Sequence, residues 1–433
     1  MSSVPVSSVP GSSAAVESRF GTAPEYRNGP LSAPVQETLD RAWDAYPRPD
    51  PADIAALGES GDARLAWLLS DYLRFNVVGE AVDAATAAFN ELTGLEMEGP
   101  VGWVDAVDHL MGWDIPVFPG YVDYKRVVFA AADPRWEPFF TAYSDIDYRW
   151  WTWGGVLIDD SPPGRSGVCE GCIPGVDDPR VTEADDGDWY PHERPVMGVV
   201  INGEARAYPR NIMEIHEMMN DTLGGRSFAL PYCTLCGSAQ LYFTDTLGDD
   251  FEMPVLRTSG LLSRSNTVMY DVVSESVFDT FTGAAVAGSL WETGIVLEQG
   301  TVITASWEDW KAEHPATTIV ELDEGAGRDY PLEPLGGRDA AGPIFPIGEI
   351  DDRLGVHESV LGVVLDDGTA VAFPVEAARS ALERGDQVEK GGVAVELVGG
   401  GLRAHLGDEA AASHEAFWFA WSQFHPDTLL WAE

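Results

Sequence analysis

The chain has 433 residues, of which 45% are hydrophobic and 15 are tryptophan, enough apolar material for two or three domains. Its formal net charge of −45, from 71 acidic against 26 basic residues, repels nucleic-acid phosphates and anionic lipid surfaces. We therefore expect a globular protein whose partner is a small-molecule substrate and which binds neither nucleic acid nor membrane.

The first twenty positions, MSSVPVSSVPGSSAAVESRF, hold no basic residue before Arg19 and no apolar segment typical of a signal peptide. Their Ser, Pro and Gly content predicts a disordered tail over residues 1–34. Elsewhere no apolar run approaches the roughly 18–20 residues of a membrane helix. These features predict a cytoplasmic protein, in which cysteines serve metal or redox chemistry more often than structural disulfides.

Residues 35–120 are predicted to form a helical lobe. Apolar residues recur there at helical spacing in three segments; Asp62 is placed to cap the second segment and Gly94 to end the third. The lobe is expected to be a cap packed on the main body, with partner binding as the alternative.

From about residue 167 the pattern changes to short alternating runs interrupted by Gly, Pro and Asp, which predicts β-strands. VMGVVING and EARAYP predict a hairpin with Asn202-Gly203 at its turn. The next segment, NIMEIHEMMND, is predicted to be one helix carrying His216, and GGRSFALPY a strand that enters a Cys-x-x-Cys turn.

The chain repeats itself. PVMGVVINGEARAYP (195–209) recurs as SVLGVVLDDGTAVAFP (359–374), and ASWEDWKAEHPAT (305–317) recurs as AFWFAWSQFHPDT (416–428). At the same distance after the shared proline, the first copy has His216 where the second has Ala381. Features common to both copies, including His314 and His425, are therefore expected to be scaffold, and features confined to the first copy are the better functional candidates.

These observations predict an α+β fold with an N-terminal helical lobe and a duplicated β-rich domain whose second copy is shorter and degenerate. The predicted boundaries are residues 35–120 for the lobe, 121–322 for the first unit and 323–433 for the second.

All four cysteines lie in two Cys-x-x-Cys pairs, Cys169/Cys172 and Cys233/Cys236. Cys-x-x-Cys is half of a common zinc or iron site and also the motif of redox dithiols. Three interpretations stay open. His216, Cys233 and Cys236 would hold a transition metal (copper, zinc or iron), with Met269 or solvent as a further ligand.

In the second interpretation, Cys233 and Cys236 cycle between dithiol and disulfide. In the third, both pairs form one four-cysteine zinc site that only stabilises the fold, although the pairs lie farther apart than the usual spacing of about 15–20 residues. For His216 alone, a hydrogen-bonded core histidine is the competing interpretation. Cys169 and Cys172 are thus a second metal or disulfide pair.

The run SGLLSRSN supplies one arginine and several hydroxyl groups in an acidic protein. Arg264, Ser265 and Asn266 are predicted to bind an anionic group of the substrate, with simple turn chemistry as the alternative.

The motifs GVVINGEARAYP, HEMMND, YCTLCGSA, SGLLSRSNTVMYD, FTGAAVAG and W-x-x-W-x-x-x-HP, with WGGV and CIPGVDDP, resemble the bacterial Domain of Unknown Function family 3179. The resemblance covers about residues 150–433. It implies a fold and a site but no established activity. Members of this family are often exported, from which the start of this chain departs, and the first cysteine pair looks like an addition to the family pattern.

The resemblance implies functional roles at the family's recurrent polar positions, among which we predict Tyr208 and Asp221 to be catalytic. These positions fall on Tyr208, His216, Glu217, Asn220, Asp221, Cys233, Cys236, Ser265 and Asn266. The function predicted is a metal-binding protein of unsettled activity, with a metal-dependent oxidoreductase as its enzymatic form. A thiol–disulfide oxidoreductase and a non-catalytic module held by a four-cysteine zinc site are the alternatives.

Overall fold

The computed structural model describes residues 19–165, 169–248, 250–322, 328–337 and 342–432. The predicted disordered tail lies outside the described residues as far as residue 18. In the described ranges no helix combines the length and the apolar character that crossing a membrane requires.

Within the described ranges the α-helices fall into an N-terminal group of six and four short helices among the strands. They are α1 (Ala33–Asp44), α2 (Pro51–Glu59), α3 (Ala66–Phe75), α4 (Glu80–Thr93), α5 (Trp103–Gly112), α6 (Tyr121–Ala132), α7 (Arg210–His216), α8 (Trp307–Glu313), α9 (Val375–Glu383) and α10 (Trp418–Phe424).

The strands are short and lie almost entirely after the helical group. The first twelve are β1 (Trp151–Trp153), β2 (Val176–Asp177), β3 (Val181–Glu183), β4 (Pro195–Ile201), β5 (Glu204–Pro209), β6 (Met218–Leu223), β7 (Arg226–Cys233), β8 (Ser238–Ala239), β9 (Leu241–Phe243), β10 (Leu256–Ser263), β11 (Asn266–Asp271) and β12 (Val277–Phe278). The others are β13 (Ala285–Ala287), β14 (Glu298–Gly300), β15 (Ile303–Ser306), β16 (Thr318–Val320), β17 (Ser359–Val364), β18 (Ala370–Pro374), β19 (Val388–Lys390), β20 (Val393–Val398), β21 (Gly401–Leu406), β22 (Glu409–Ala410), β23 (His414–Phe417) and β24 (Leu429–Leu430).

An α+β fold with an N-terminal helical region is confirmed. The apolar faces of α1–α6 form one core, and Gly94 ends α4 in the left-handed conformation, as predicted. Helix α6 lies beyond residue 120 and packs into the same core. Leu261 of β10 and Val268 of β11 also belong to it, so the helical region is fixed directly on the first sheet.

Within the described residues the strands form five sheets, with the orders β1-β10-β11-β12-β13, β14-β9-β7-β6-β2, β15-β4-β5-β16-β3, β23-β17-β18-β24 and β19-β20-β21-β22. The predicted hairpin is confirmed as β4–β5. Both Asn202 and Gly203 adopt positive φ at its turn, which matches the right-handed twist of the strands.

The prediction of one helix over NIMEIHEMMND is wrong. Helix α7 ends at His216 because Glu217 takes a left-handed conformation with φ 53°, and the chain continues as β6. Asn220 and Asp221 therefore lie on a strand that pairs with β7, the strand that ends at Cys233. The helical spacing of the apolar residues did not indicate this break. Ile212 and Met219 are both buried, as they would also be on the apolar face of one continuous helix.

Two of the sheets share one topology. In β15-β4-β5-β16 and in β23-β17-β18-β24 the first two pairings are antiparallel and the last is parallel. A Cβ atom at Gly198 would overlap the ring of Trp310, and one at Gly362 would overlap Trp421. Each tryptophan Nε1 donates to a threonine Oγ1, Trp310 to Thr317 at 3.0 Å and Trp421 to Thr428 at 3.1 Å.

His314 and His425 occupy equivalent places against these tryptophans, with ring centroids 4.3 Å and 4.4 Å apart. Burial lowers the pKa of His425 to about 4, so this ring is neutral at physiological pH. A histidine packed on the equivalent tryptophan ring in both sheets agrees with the scaffold role expected from the sequence.

Candidate functional site

His216 ends α7 with a fully buried ring. Its Nδ1 lies 2.7 Å from the carbonyl oxygen of Pro174, and its Nε2 lies 2.6 Å from the Tyr330 hydroxyl. Because a carbonyl only accepts, Nδ1 carries a proton, and in the neutral ring the Tyr330 hydroxyl then donates to Nε2. Both ring nitrogens are thus occupied by protein groups in this structure.

Cys233 and Cys236 flank the turn that follows β7 and form a disulfide, with Cα atoms 5.3 Å apart. They are 1% and 0% exposed, in an apolar cluster with Trp418 and Trp421. The backbone N–H of Phe417 donates to the Cys236 carbonyl at 2.7 Å. The second cysteine pair is therefore enclosed between its own turn and the strand and helix of the β17-containing sheet.

Cys169 and Cys172 form a second disulfide, with Cα atoms 5.9 Å apart, on a loop whose two cysteines are half-buried. Leu157 forms an isolated β-bridge with Cys172, which fixes the loop to the segment that carries Asp159. One ligand atom each of Asp159, Cys169 and Cys172 lies within 4.8 Å of the other two. Among the described residues, no other three His, Cys, Asp or Glu side chains converge in this way.

Asp159 is held rigidly although it is fully buried. The backbone N–H groups of Ser161 and Gly175 donate to its two carboxylate oxygens at 3.0 Å and 2.7 Å. Arg257 Nε lies 3.6 Å from Oδ2, and the same guanidinium pairs with Asp177 at 2.6 Å. These donors offset the cost of burying the charge and fix the carboxylate beside the cysteine loop.

The four cysteines thus pair as two separate disulfides. His216, Cys233 and Cys236 are not among the converging ligand groups of the described residues. That metal centre, like the four-cysteine zinc site, stays a prediction.

A cavity of about 100 Å³ brings together most of the motifs that carry the family resemblance. WGGV contributes Gly154 and Val156, CIPG contributes Ile173, the Cys-x-x-Cys turn contributes Thr234, and Glu217 supplies the carboxylate. Thr234 Oγ1 donates to Glu217 at 2.7 Å.

One wall of this cavity is a β-bulge in β10. A side chain at Gly260, which has φ 75°, would collide with the carbonyl of Val156. The Gly154 N–H donates to the Gly260 carbonyl at 2.9 Å. The bulge therefore lets two backbones meet where the motifs converge.

Tyr208 and Asp221, the predicted catalytic residues, are in direct contact. The Tyr208 hydroxyl donates to Asp221 Oδ2 at 2.6 Å, and Arg206 donates to the same oxygen at 2.6 Å. Burial and the Asp221 charge raise the pKa of Tyr208 well above its usual value, so the phenol keeps its proton. The pair does not line the cavity of the converging motifs, and its catalytic role stays a prediction.

The predicted substrate-binding residues separate. Arg264 and Ser265 form the β10–β11 turn; the Arg264 guanidinium lies 3.9 Å from the centre of the Trp150 ring. Ser265 and Asn266 are each 2% exposed. Their Oγ and Oδ1 atoms accept no hydrogen bond from the described residues. Arg264 borders two larger cavities.

Sequence reasoning missed Asp159 as a partner of the first cysteine pair. The residue stands in VLIDDSPPG, ahead of the loop, and nothing in its spacing from Cys169 matches a known ligand pattern. Its position follows from tertiary contacts, which include the backbone N–H of Gly175 and the guanidinium of Arg257 of β10.

A family model described as "Protein of unknown function (DUF3179)" matches residues 170–405. The matched range contains Cys172, Cys233 and Cys236, and it begins one residue after Cys169. No curated protein and no solved structure matches the chain.

Proposed function

The chain belongs to the family described as "Protein of unknown function (DUF3179)", and we propose that it binds a transition metal through Asp159, Cys169 and Cys172. The observation that carries the proposal is the approach of their three ligand atoms to within 4.8 Å of one another. Because Asp159 and Cys169 precede the matched range, the proposal concerns this chain and not its whole family.

The chemistry of the set suits a borderline or soft metal. Two thiolates and one carboxylate leave a fourth tetrahedral position open, as in zinc sites that bind water or substrate. Sulfur ligands favour zinc, copper(I) or iron over calcium and magnesium. Only the reduced pair can act, since a disulfide sulfur is a poor ligand, and the predicted cytoplasmic location would supply the reducing environment.

We further propose that the metal site supports an oxidoreductase activity. Its support is that Ile173, the residue after Cys172, lines the cavity that contains Glu217 and Thr234. A cavity of about 100 Å³ admits only a very small molecule.

Elemental analysis of the reduced protein after equilibration with zinc, copper and iron in separate samples tests the proposal. We expect close to one metal per chain in the wild type and none in Cys169→Ser/Cys172→Ser. Asp159→Asn should weaken binding, whereas Asp160→Asn, its exposed neighbour in the chain, is the matched control and should leave the metal content unchanged. Metal retained by Cys169→Ser/Cys172→Ser and lost from Cys233→Ser/Cys236→Ser would contradict the proposal and favour the His216 centre.

Thiol–disulfide exchange is the second candidate, and the half-buried state of Cys169 and Cys172 supports it. The sequence pointed to Cys233 and Cys236 for this chemistry, but their exposure of 1% and 0% weighs against attack by an external thiolate. Reversible oxidation of the first pair in metal-free protein, at a defined potential and without metal uptake by the dithiol, would favour this candidate.

We also propose that the β15-β4-β5-β16 and β23-β17-β18-β24 sheets are copies of one ancestral unit. Their shared strand order and the repeated glycine–tryptophan–threonine contacts support duplication. The second copy carries neither a cysteine nor a counterpart of His216, so its role would be structural.

A further inference from the structure

A cavity of about 630 Å³ opens where the end of α5, the β10–β11 turn and α10 approach one another. Its charged lining residues are Asp114, Arg149, Arg264, Glu349 and Asp351. A second cavity of about 190 Å³ shares Trp150 and Arg264 with it. The larger volume is in the range of small-molecule sites, about 300–1,000 Å³.

Arg264 is built into this position at a conformational cost. Arg264 and Ser265 have φ values of 50° and 64°, a left-handed turn in which Asn and Gly are the relaxed residues. The Arg264 N–H donates to the Trp150 carbonyl at 3.1 Å, and the guanidinium is stacked on the Trp150 ring. Both contacts direct one flat, rigid cation to the border of the two cavities.

The guanidinium of Arg264 makes no hydrogen bond or ion pair with the part of the chain that the structure describes. By contrast, Arg149 pairs with Asp114 and Asp147, each at 2.6 Å, and Asp351 is held by Arg353. The Arg264 side chain is partly buried, and this burial lowers its pKa against the opposing charges of nearby carboxylates, which include Asp147 and Asp279. A partly buried guanidinium whose N–H groups make no hydrogen bond to the described residues can bind a ligand carboxylate through two parallel hydrogen bonds.

The carboxylates in the same lining argue against a simple anion. Arg149 pairs with Asp114 and Arg353 with Asp351, but the lining still holds three carboxylates, those of Asp114, Glu349 and Asp351, against two arginines. This excess, together with the chain's net charge of −45, is unfavourable for a ligand that carries negative charge alone. A ligand with a second, positive group would meet both signs of charge.

We propose that this cavity binds a zwitterionic amino acid, whose carboxylate pairs with the Arg264 guanidinium and whose ammonium group faces the acidic lining. The site shares none of the proposed metal ligands. Its success or failure is therefore independent of the proposed function.

Isothermal titration of the full chain with the individual proteinogenic L-amino acids tests the proposal. We expect at least one to bind with a stoichiometry of one. Its carboxamide, which lacks the anion, and its N-acetyl derivative, which lacks the cation, should each bind at least about tenfold more weakly. Equal binding of the N-acetyl derivative would reduce the site to an anion site and overturn the proposal.

Substitutions at Arg264 test whether this residue binds the amino acid. Arg264→Gln should weaken the same amino acid at least about tenfold, and Arg264→Lys should restore only part of the loss because an ammonium group is not bidentate. Arg126→Gln, which removes an exposed arginine paired with Asp123 on α6, is the matched control and should bind normally. Thermal unfolding checks that each variant is folded. Absence of amino-acid binding, or equal affinity in Arg264→Gln, would overturn the proposal.

Discussion

The two cysteine pairs have the same spacing and opposite surroundings. Cys169 and Cys172 are half-buried on a loop beside the Asp159 carboxylate. Cys233 and Cys236 are enclosed among aromatic rings, with no carboxylate or imidazole converging on their sulfurs within the described residues.

This difference shows that a Cys-x-x-Cys motif specifies a distance between sulfurs and not a chemistry. A carboxylate and access to solvent make the first pair suitable for metal binding or exchange. Burial against Trp418 makes the second pair part of the packing between two sheets. The dense grouping of His216 with the second pair in the sequence is therefore compatible with a stabilising role.

Replacing the cysteines of each pair by serine should give the largest difference between the two pairs. In reducing buffer, Cys233→Ser/Cys236→Ser should lower the free energy of unfolding by about 2–4 kcal/mol, because two hydroxyl groups enter an apolar cluster. Cys169→Ser/Cys172→Ser should cost less than about 1 kcal/mol, since those side chains already reach water. Denaturant unfolding monitored by tryptophan fluorescence compares the two, and equal losses would refute the difference in burial.

Reduction rates should separate the pairs under native conditions. We expect dithiothreitol to reduce the Cys169–Cys172 disulfide at least about 100-fold faster than Cys233–Cys236, because the enclosed pair must wait for local opening. Timed alkylation followed by peptide mass spectrometry measures both rates in one sample. The expectation fails if the second pair is reduced first or at the same rate.

Two glycine substitutions compare how tightly the two Cys-x-x-Cys turns are packed. Gly237→Ala should cost about 2–3 kcal/mol, because it places a Cβ 2.8 Å from the Phe417 ring at a residue with φ 59°. Gly171→Ala has a similar strain at φ 73° but meets only the movable end of Leu157 at 3.3 Å, so about 1 kcal/mol is expected. Comparable losses, measured by urea unfolding, would show that the second turn is no more tightly packed than the first.

Much of the fold could be predicted because it follows from local sequence patterns. Alternation and an Asn-Gly turn gave the β4–β5 hairpin, and helical periodicity gave the N-terminal helices. The end of α7 was missed because one left-handed residue, Glu217, stops the helix without a glycine or proline to mark it.

The sequence identified the types of residue in the candidate site but not the groups that they contact in the folded chain. His216 and the cysteines were identified, but the partners of His216 are a carbonyl of Pro174 and the hydroxyl of Tyr330, which are distant in sequence. Asp159 joins the first cysteine pair through tertiary packing around Arg257. Spacing rules describe ligands on one turn or one helix, so they do not detect such groups.

Cobalt(II) titration of the reduced protein is the most direct test of the central claim that the half-buried pair, Cys169 and Cys172, is the metal site. Thiolate ligation gives a sulfur-to-cobalt charge-transfer band that water and carboxylate ligands do not produce. We expect this band in the wild type and in Cys233→Ser/Cys236→Ser, and its loss in Cys169→Ser/Cys172→Ser. A band that survives in Cys169→Ser/Cys172→Ser and disappears in Cys233→Ser/Cys236→Ser would contradict it.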